Sequence, residues 1–182
     1  MKRIPESETI VEMEDARRFN EVMSGRLVQH EYRRLARHVV EMGVPPGGRV
    51  LDVGTGPGFV AIEVARLLQG SGCEDFDLSR AVVGLDLSQA MLTLAAENAQ
   101  REGLDGALTW REGDAKAMPF DDGEFDFVVS SGSLHHWEDP LPVLDEIARV
   151  LKDNGQCIVR DSKRLQRWGP RFFAWAIGMT IP

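Results

Sequence analysis

Cysteine is scarce. Cys73 and Cys157 are the only two in 182 residues; they stand far apart and in no C-x-x-C or Cys/His ligand spacing, which argues against a disulfide framework and a zinc site. A reducing, cytoplasmic setting is therefore expected. Long apolar runs are missing as well: no stretch reaches the roughly 20 apolar residues that a membrane span needs. Met1 to Glu14 mixes basic and acidic side chains with no apolar run behind the basic start, unlike a secretory signal. Positive charge is in deficit, with 21 Lys and Arg against 29 Asp and Glu and a formal net charge of -8. That balance opposes attraction to phosphate backbones, so nucleic acid is a disfavoured partner. There is no internal repeat and no low-complexity segment.

What is present is 43% apolar content, enough for the core of a single domain at this length. Val28, Tyr32, Leu35 and Val39 recur at helical spacing between Ser24 and Gly43, and Pro45-Pro46-Gly47-Gly48 ends that helix. Arg49 to Val53 is a short buried strand that runs into a glycine-rich turn. A helix over Phe59 to Leu68, a loop over Gln69 to Arg80 and a strand over Ala81 to Asp86 follow. Ser88 then caps a helix that reaches about Glu102. Strands are expected at Leu108 to Arg111, Phe125 to Ser130 and Gln156 to Arg160. Between the last two, a helix starts with Asp139 as N-cap and Pro140 as its first residue, and Asn154-Gly155 is expected to close it as a left-handed cap. Strands alternating with helices predict a doubly wound, mainly parallel α/β sheet, Rossmann-like, with helices on both faces.

In such a sheet a ligand lies beyond the carboxyl ends of the strands. Four of those ends are informative. Asp52-Val53-Gly54-Thr55-Gly56-Pro57-Gly58 permits tight turning and close backbone approach to a ligand. Asp86 closes the second strand, where a carboxylate can accept hydrogen bonds from both hydroxyls of a ribose. Gly113-Asp114-Ala115 follows the third strand, and Ser130 to His136 follows the fourth.

The runs V-L-D-V-G-T-G-P-G at Val50 to Gly58, V-G-L-D-L-S at Val83 to Ser88, G-D-A-K-A-M-P-F at Gly113 to Phe120 and F-D-F-V-V-S at Phe125 to Ser130 resemble the ordered motifs of class I S-adenosylmethionine-dependent methyltransferases. The branch most resembled acts on small molecules and includes the ubiquinone and menaquinone methyltransferases. The resemblance implies that S-adenosylmethionine is the cofactor. Gly54, Thr55, Gly56 and Gly58 would hold its methionine moiety, with Asp52 near the ammonium group. It further implies Asp86 on the ribose, Leu87 and Met91 against the adenine ring, Asp114 accepting from the adenine amino group with Ala115 beside it, and Ser130 and Ser131 at the reactive end.

Each residue also has a purely structural reading. A glycine-rich turn can serve packing, an Asp after a strand can cap a helix, and Leu87 and Met91 can be core residues. His135 and His136 stand near the expected site of transfer. A base is needed there only if the acceptor must lose a proton; His135 is preferred if either is catalytic, and hydrogen bonding that closes the pocket is the alternative. Glu12, Glu14, Asp15, Arg17 and Arg18 read as a solvated helical face, and Phe19, Met23 and Tyr32 as residues that could reach the site from the N-terminal helices.

The chain is read as one methyltransferase domain: a helical cap over 1–48, a cofactor-binding core over 49–161 and an incomplete segment over 162–182. The longer interval from Gly58 to Asp86 reads as an inserted loop. The family fold continues past the fifth strand with a helix and two further strands, for which Ser162 to Pro182 leaves too little chain. Truncation is the expectation, with Phe172 to Met179 as an apolar surface that could otherwise form a homodimer. Two rivals follow from the residues. A nicotinamide-dependent oxidoreductase would need G-x-G-x-x-G, but the sixth position from Gly54 is Phe59. A protein that binds the cofactor without catalysis is the other. A small-molecule acceptor is reached by elimination: no [N/D]-P-P-[Y/F] motif and no Pro-Cys nucleophile follows the fourth strand.

Overall fold

A computed structural model of the chain describes residues 12–70 and 81–161. Two helices, α1 (Met13–Met23) and α2 (Arg26–Glu41), precede β1 (Val50–Val53), α3 (Phe59–Gln69), β2 (Val82–Asp86), α4 (Gln89–Arg101), β3 (Thr109–Glu112), β4 (Phe125–Ser131), a 3-10 turn at Leu134–His136, α5 (Leu141–Val150) and β5 (Leu151–Arg160). The five strands form one sheet in the order β3-β2-β1-β4-β5, and every pairing is parallel. The order reverses between β1 and β4, so a crevice opens beyond their carboxyl ends.

Alternation along the strands divides the core between the two faces. Val50, Val82, Phe127 and Val129 pack with Leu35 and Val39 of α2 and Val60, Val64 and Leu68 of α3. Leu51, Val53, Val83, Leu85 and Val128 turn the other way, onto Val143 and Ile147 of α5. A period-2 strand between two helical layers needs apolar residues on both sides, and β1 is accordingly buried along its whole length. A third cluster, Ala16 of α1 with Ala90, Met91 and Leu94 of α4, fastens the N-terminal helix beside the site.

The expected strands and helices are present, with two corrections at α5. Pro140 occupies the N-cap position by its backbone, while Asp139 accepts from Leu141 N at 3.1 Å through its side chain. The helix also ends at Val150, not at Asn154-Gly155, and Gly155 is not among the residues with positive φ. Here the chain passes directly from helix into strand. Phe125 pairs with Leu151 while Phe127 pairs with Gln156, so β5 bulges between its two regular ends. Gly155 is needed there for space: a Cβ would sit 2.8 Å from the Leu151 side chain and 2.9 Å from Lys152 O. Sequence alone made the same glycine a cap, because Asn-Gly reads alike in both settings.

Residues 162–182, with the apolar segment 172–179, and residues 71–80, with Cys73, lie outside the described residues. Among the described residues no helix is long and apolar enough to cross a membrane.

Candidate active site at the carboxyl ends of the strands

The turn after β1 is pinned to β2, since Gly54 N and Thr55 N both donate to Leu85 O, at 2.8 and 3.0 Å. Gly54, Gly56 and Gly58 have φ of 69°, 53° and 80°, a region that glycine enters without steric cost. Their surroundings differ. A Cβ on Gly54 would lie 2.6 Å from Ser133 Cβ, and one on Gly58 2.7 Å from the Trp110 ring and 2.9 Å from Ala95 Cβ. At Gly56 no atom of the described residues lies within 4 Å. Gly54 and Gly58 therefore serve close packing, of the β4 turn and of α4 respectively, while Gly56 borders the open crevice. Asn98 of α4 secures the turn from the side by donating to Pro57 O and to Asn20 Oδ1 of α1, each at 2.9 Å.

Two carboxylates close the strands on either side. Asp52 is 1% exposed and accepts from Thr55 Oγ1 at 2.7 Å; burial pushes its carboxyl up to about 7, with a smaller contribution from Asp86. No cation pairs with it among the described residues. Asp86 accepts from Gly56 N at 2.8 Å and Ser88 N at 2.9 Å, and burial again raises its carboxyl above the ordinary value. Thr55 itself is buried and acts on Asp52. Tyr32 of α2 stacks on Phe59 with ring centroids 5.7 Å apart. Its phenol is pushed up to about 12, chiefly by burial and then by Asp52, so α2 lies over the end of β1.

The other predicted residues divide. Leu87 is 54% exposed at the end of β2, an apolar side chain left bare beside Asp86. Met91 is buried in the α1–α4 cluster. Asp114 is exposed, and its Oδ1 accepts from Lys116 N at 2.9 Å; Ala115 packs against the α5-side core. Ser130 is fully buried, donates to Val53 O at 2.8 Å and meets Ser133 Oγ at 2.6 Å, so it ties β4 to β1. Ser131 is half-buried at the strand end. Phe19 is 36% exposed on α1, and Arg17 and Arg18 make surface ion pairs with Glu97 and Glu14.

Past β4, the 3-10 turn carries both histidines. His135 Nδ1 lies 3.0 and 3.1 Å from the two carboxylate oxygens of Asp161, the residue after β5. The His136 ring stands 4.0 Å from that of His135, and partial desolvation, followed by His135, lowers its basicity. Trp137 is buried in the α5-side core. Ser133 and Asp161 were not singled out by sequence reading. The signal for Asp161 was available, since it is an acid closing a strand, as Asp86 is. Two surface clefts, of about 480 and 430 Å3, lie elsewhere, and no predicted site residue lines either. Among the described residues the strand-end crevice is an open surface defined by its chemistry.

Comparison with known proteins agrees with the geometry. A family described as "Methyltransferase domain" matches residues 51–159. The ubiquinone/menaquinone biosynthesis C-methyltransferase UbiE of Citrifermentans bemidjiense is 32% identical over 132 residues, which are 72% of this chain and 52% of that protein. The chain thus spans about half the length of the curated relatives it matches. The fold of a Methanococcus maripaludis protein superposes with a TM-score of 0.72 at 24% identity, covering 96% of this chain and 73% of its own. The [4+2]-cyclase SpnF superposes with a TM-score of 0.57 at 35% identity, covering 70% and 43%. The parallel sheet, the glycine turn with its flanking carboxylates and the family match over the same strands place this chain in the methyltransferase domain family, with UbiE-type C-methyltransferases among its relatives.

Proposed function

We propose that the protein transfers a methyl group from S-adenosylmethionine to a small-molecule acceptor. The observation that carries this reading is Asp52: a buried carboxylate with no cationic partner among the described residues, raised to about 7, at the foot of a glycine turn whose Gly56 faces open space among those residues. A ligand that brings an ammonium group to Asp52 and ribose hydroxyls to Asp86 matches that donor set. When bound, S-adenosylmethionine supplies an electrophilic methyl group on a sulfonium. The chain's own residues position it. Asp52 pairs with the ammonium, Gly56 lets the backbone approach, Asp86 accepts from the ribose hydroxyls, Leu87 covers one face of the adenine and Asp114 accepts from its amino group. Ser131 and His135 then border the reactive end. Gly54, Gly58, Thr55 and Ser130 support these residues from beneath, and Met91 and Ala115 support the adenine side. Positioning for in-line displacement supplies most of the acceleration in such a reaction.

Residues 1–48 act as a cap and 49–161 as the cofactor-binding core in this reading, and the acidic, cysteine-poor chain suits the cytoplasm. SpnF bears on the alternative, because a fold does not fix the reaction carried out on it. Calorimetry with S-adenosylmethionine, S-adenosylhomocysteine and NAD tests the proposal. The first two should bind and NAD should not. Binding of NAD with no response to S-adenosylhomocysteine would overturn it, and cofactor binding with no methyl transfer to any acceptor in a broad small-molecule panel would favour a non-catalytic or cyclase-like role.

Asp86→Ala should weaken S-adenosylhomocysteine binding by about 1.5 to 3 kcal/mol, the range for hydrogen bonds to a charged group. Part of that loss comes from the turn itself, since Gly56 N and Ser88 N lose their acceptor. Unchanged affinity in a folded variant would place the ribose acid elsewhere.

A further inference from the structure

The pairing of His135 with Asp161 joins two strand ends that are adjacent in the sheet but 26 residues apart in sequence. Asp161 is well covered, with 13% of its side chain exposed, whereas His135 keeps 37% exposed. The carboxylate therefore sits behind the imidazole. Both its oxygens lie within hydrogen-bond distance of Nδ1, and Nε2 has no hydrogen-bond partner among the described residues. A carboxylate only accepts, so this contact requires a proton on Nδ1, and in the neutral ring that leaves the lone pair on Nε2. The turn that carries His135 is docked on the cofactor turn: Ser133 lies against Gly54 and reaches Val53 O at 3.4 Å.

We propose that Asp161 is a positioning residue that fixes His135 as its Nδ1–H tautomer, so that Nε2 takes a proton from a protic acceptor, an X–H group that must lose its hydrogen as it is methylated. The inference rests on the proposed methyl transfer. In the step, the acceptor atom forms a bond to the methyl carbon as the carbon–sulfur bond breaks, and the sulfur keeps that electron pair. The X–H proton passes to Nε2. The positive charge of the sulfonium thus reappears as an imidazolium facing the Asp161 carboxylate. An acceptor that is already an anion would have no use for this arrangement.

The tautomer is observable in the protein alone. Long-range 15N–1H correlation spectra of the histidines, with His135 assigned through His135→Gln, should show neutral His135 protonated at Nδ1. In Asp161→Asn the amide can turn its NH2 toward the ring, and in Asp161→Ala nothing holds Nδ1, so both should move His135 toward the Nε2–H form. Ethoxyformylation by diethyl pyrocarbonate, mapped by peptide mass, should label His135 at Nε2 several-fold faster in the parent than in Asp161→Asn. An Nε2–H tautomer in the parent would overturn the proposal even if neither variant folds, as would a tautomer and labelling rate that ignore Asp161. S-adenosylhomocysteine affinity should be unchanged in both variants. Failure of the parent to bind S-adenosylhomocysteine would instead sink the cofactor reading, whatever the tautomer.

Discussion

At pH 8, Asp52→Asn should be more stable than the parent protein while binding S-adenosylhomocysteine less tightly. The carboxyl of Asp52 is raised by burial from 3.8 to about 7. Between those values the folded protein holds a proton that the unfolded chain has released, so stability from this group is full at low pH and is lost as pH rises toward 7. At about 1.4 kcal/mol per pKa unit, the fully ionised group costs roughly 3 to 5 kcal/mol. Asp86 is shifted in the same direction, again by burial, and adds to the trend. Asparagine has the shape of the protonated acid, and the Thr55 hydroxyl, 2.7 Å away, can donate to or accept from it. Denaturant titrations at pH 5 and 8 should therefore show a steep fall for the parent and a much shallower one for Asp52→Asn. Equal pH dependence in the two proteins would mean that Asp52 is ionised without penalty. In the proposed complex the ligand's ammonium stabilises the ionised form, so binding near pH 7 should release protons, read as a buffer-dependent calorimetric enthalpy. Asp52→Asn should abolish that release.

Gly54→Ala and Gly56→Ala should separate packing from ligand access. Both glycines have positive φ, and alanine pays about 1 to 2 kcal/mol for that region. At Gly54 the added methyl also meets Ser133 Cβ at 2.6 Å. Ser133 is itself held by Ser130 and Val53, and an overpacked, constrained site costs about 1 to 3 kcal/mol more. Gly54→Ala should thus destabilise the protein by about 2 to 5 kcal/mol. Gly56→Ala should cost only the backbone part, because no atom of the described residues lies within 4 Å of its Cβ, yet weaken cofactor binding at least as much as Gly54→Ala does. Chemical denaturation and calorimetry on both variants give the comparison. Equal stability losses would contradict the assignment of Gly54 to packing, and unimpaired binding by a folded Gly56→Ala would remove Gly56 from the site.

The positions of β1 to β4 and of the helices between them were legible in the chain, because buried strands and amphipathic helices are written as local periodicity, and Ser88 caps α4 by a local rule. The family was legible through the resemblance of four ordered motifs to those of known methyltransferases. The division of labour inside those motifs was not. Gly54, Gly56 and Gly58 are alike in sequence and share one backbone region, and only the neighbours that tertiary packing brings, Ser133, open space and Trp110, tell them apart. Ser130 reads as a site residue by position, yet its hydroxyl is spent on Val53 O. Gly155 reads as a helix cap because Asn-Gly favours one, and the passage from α5 straight into β5 places it in a bulge instead. The raised carboxyl of Asp52 and the contact of Asp161 with His135 belong to the same class. Burial and juxtaposition across separate strands set them, and neither quantity exists until the sheet has formed.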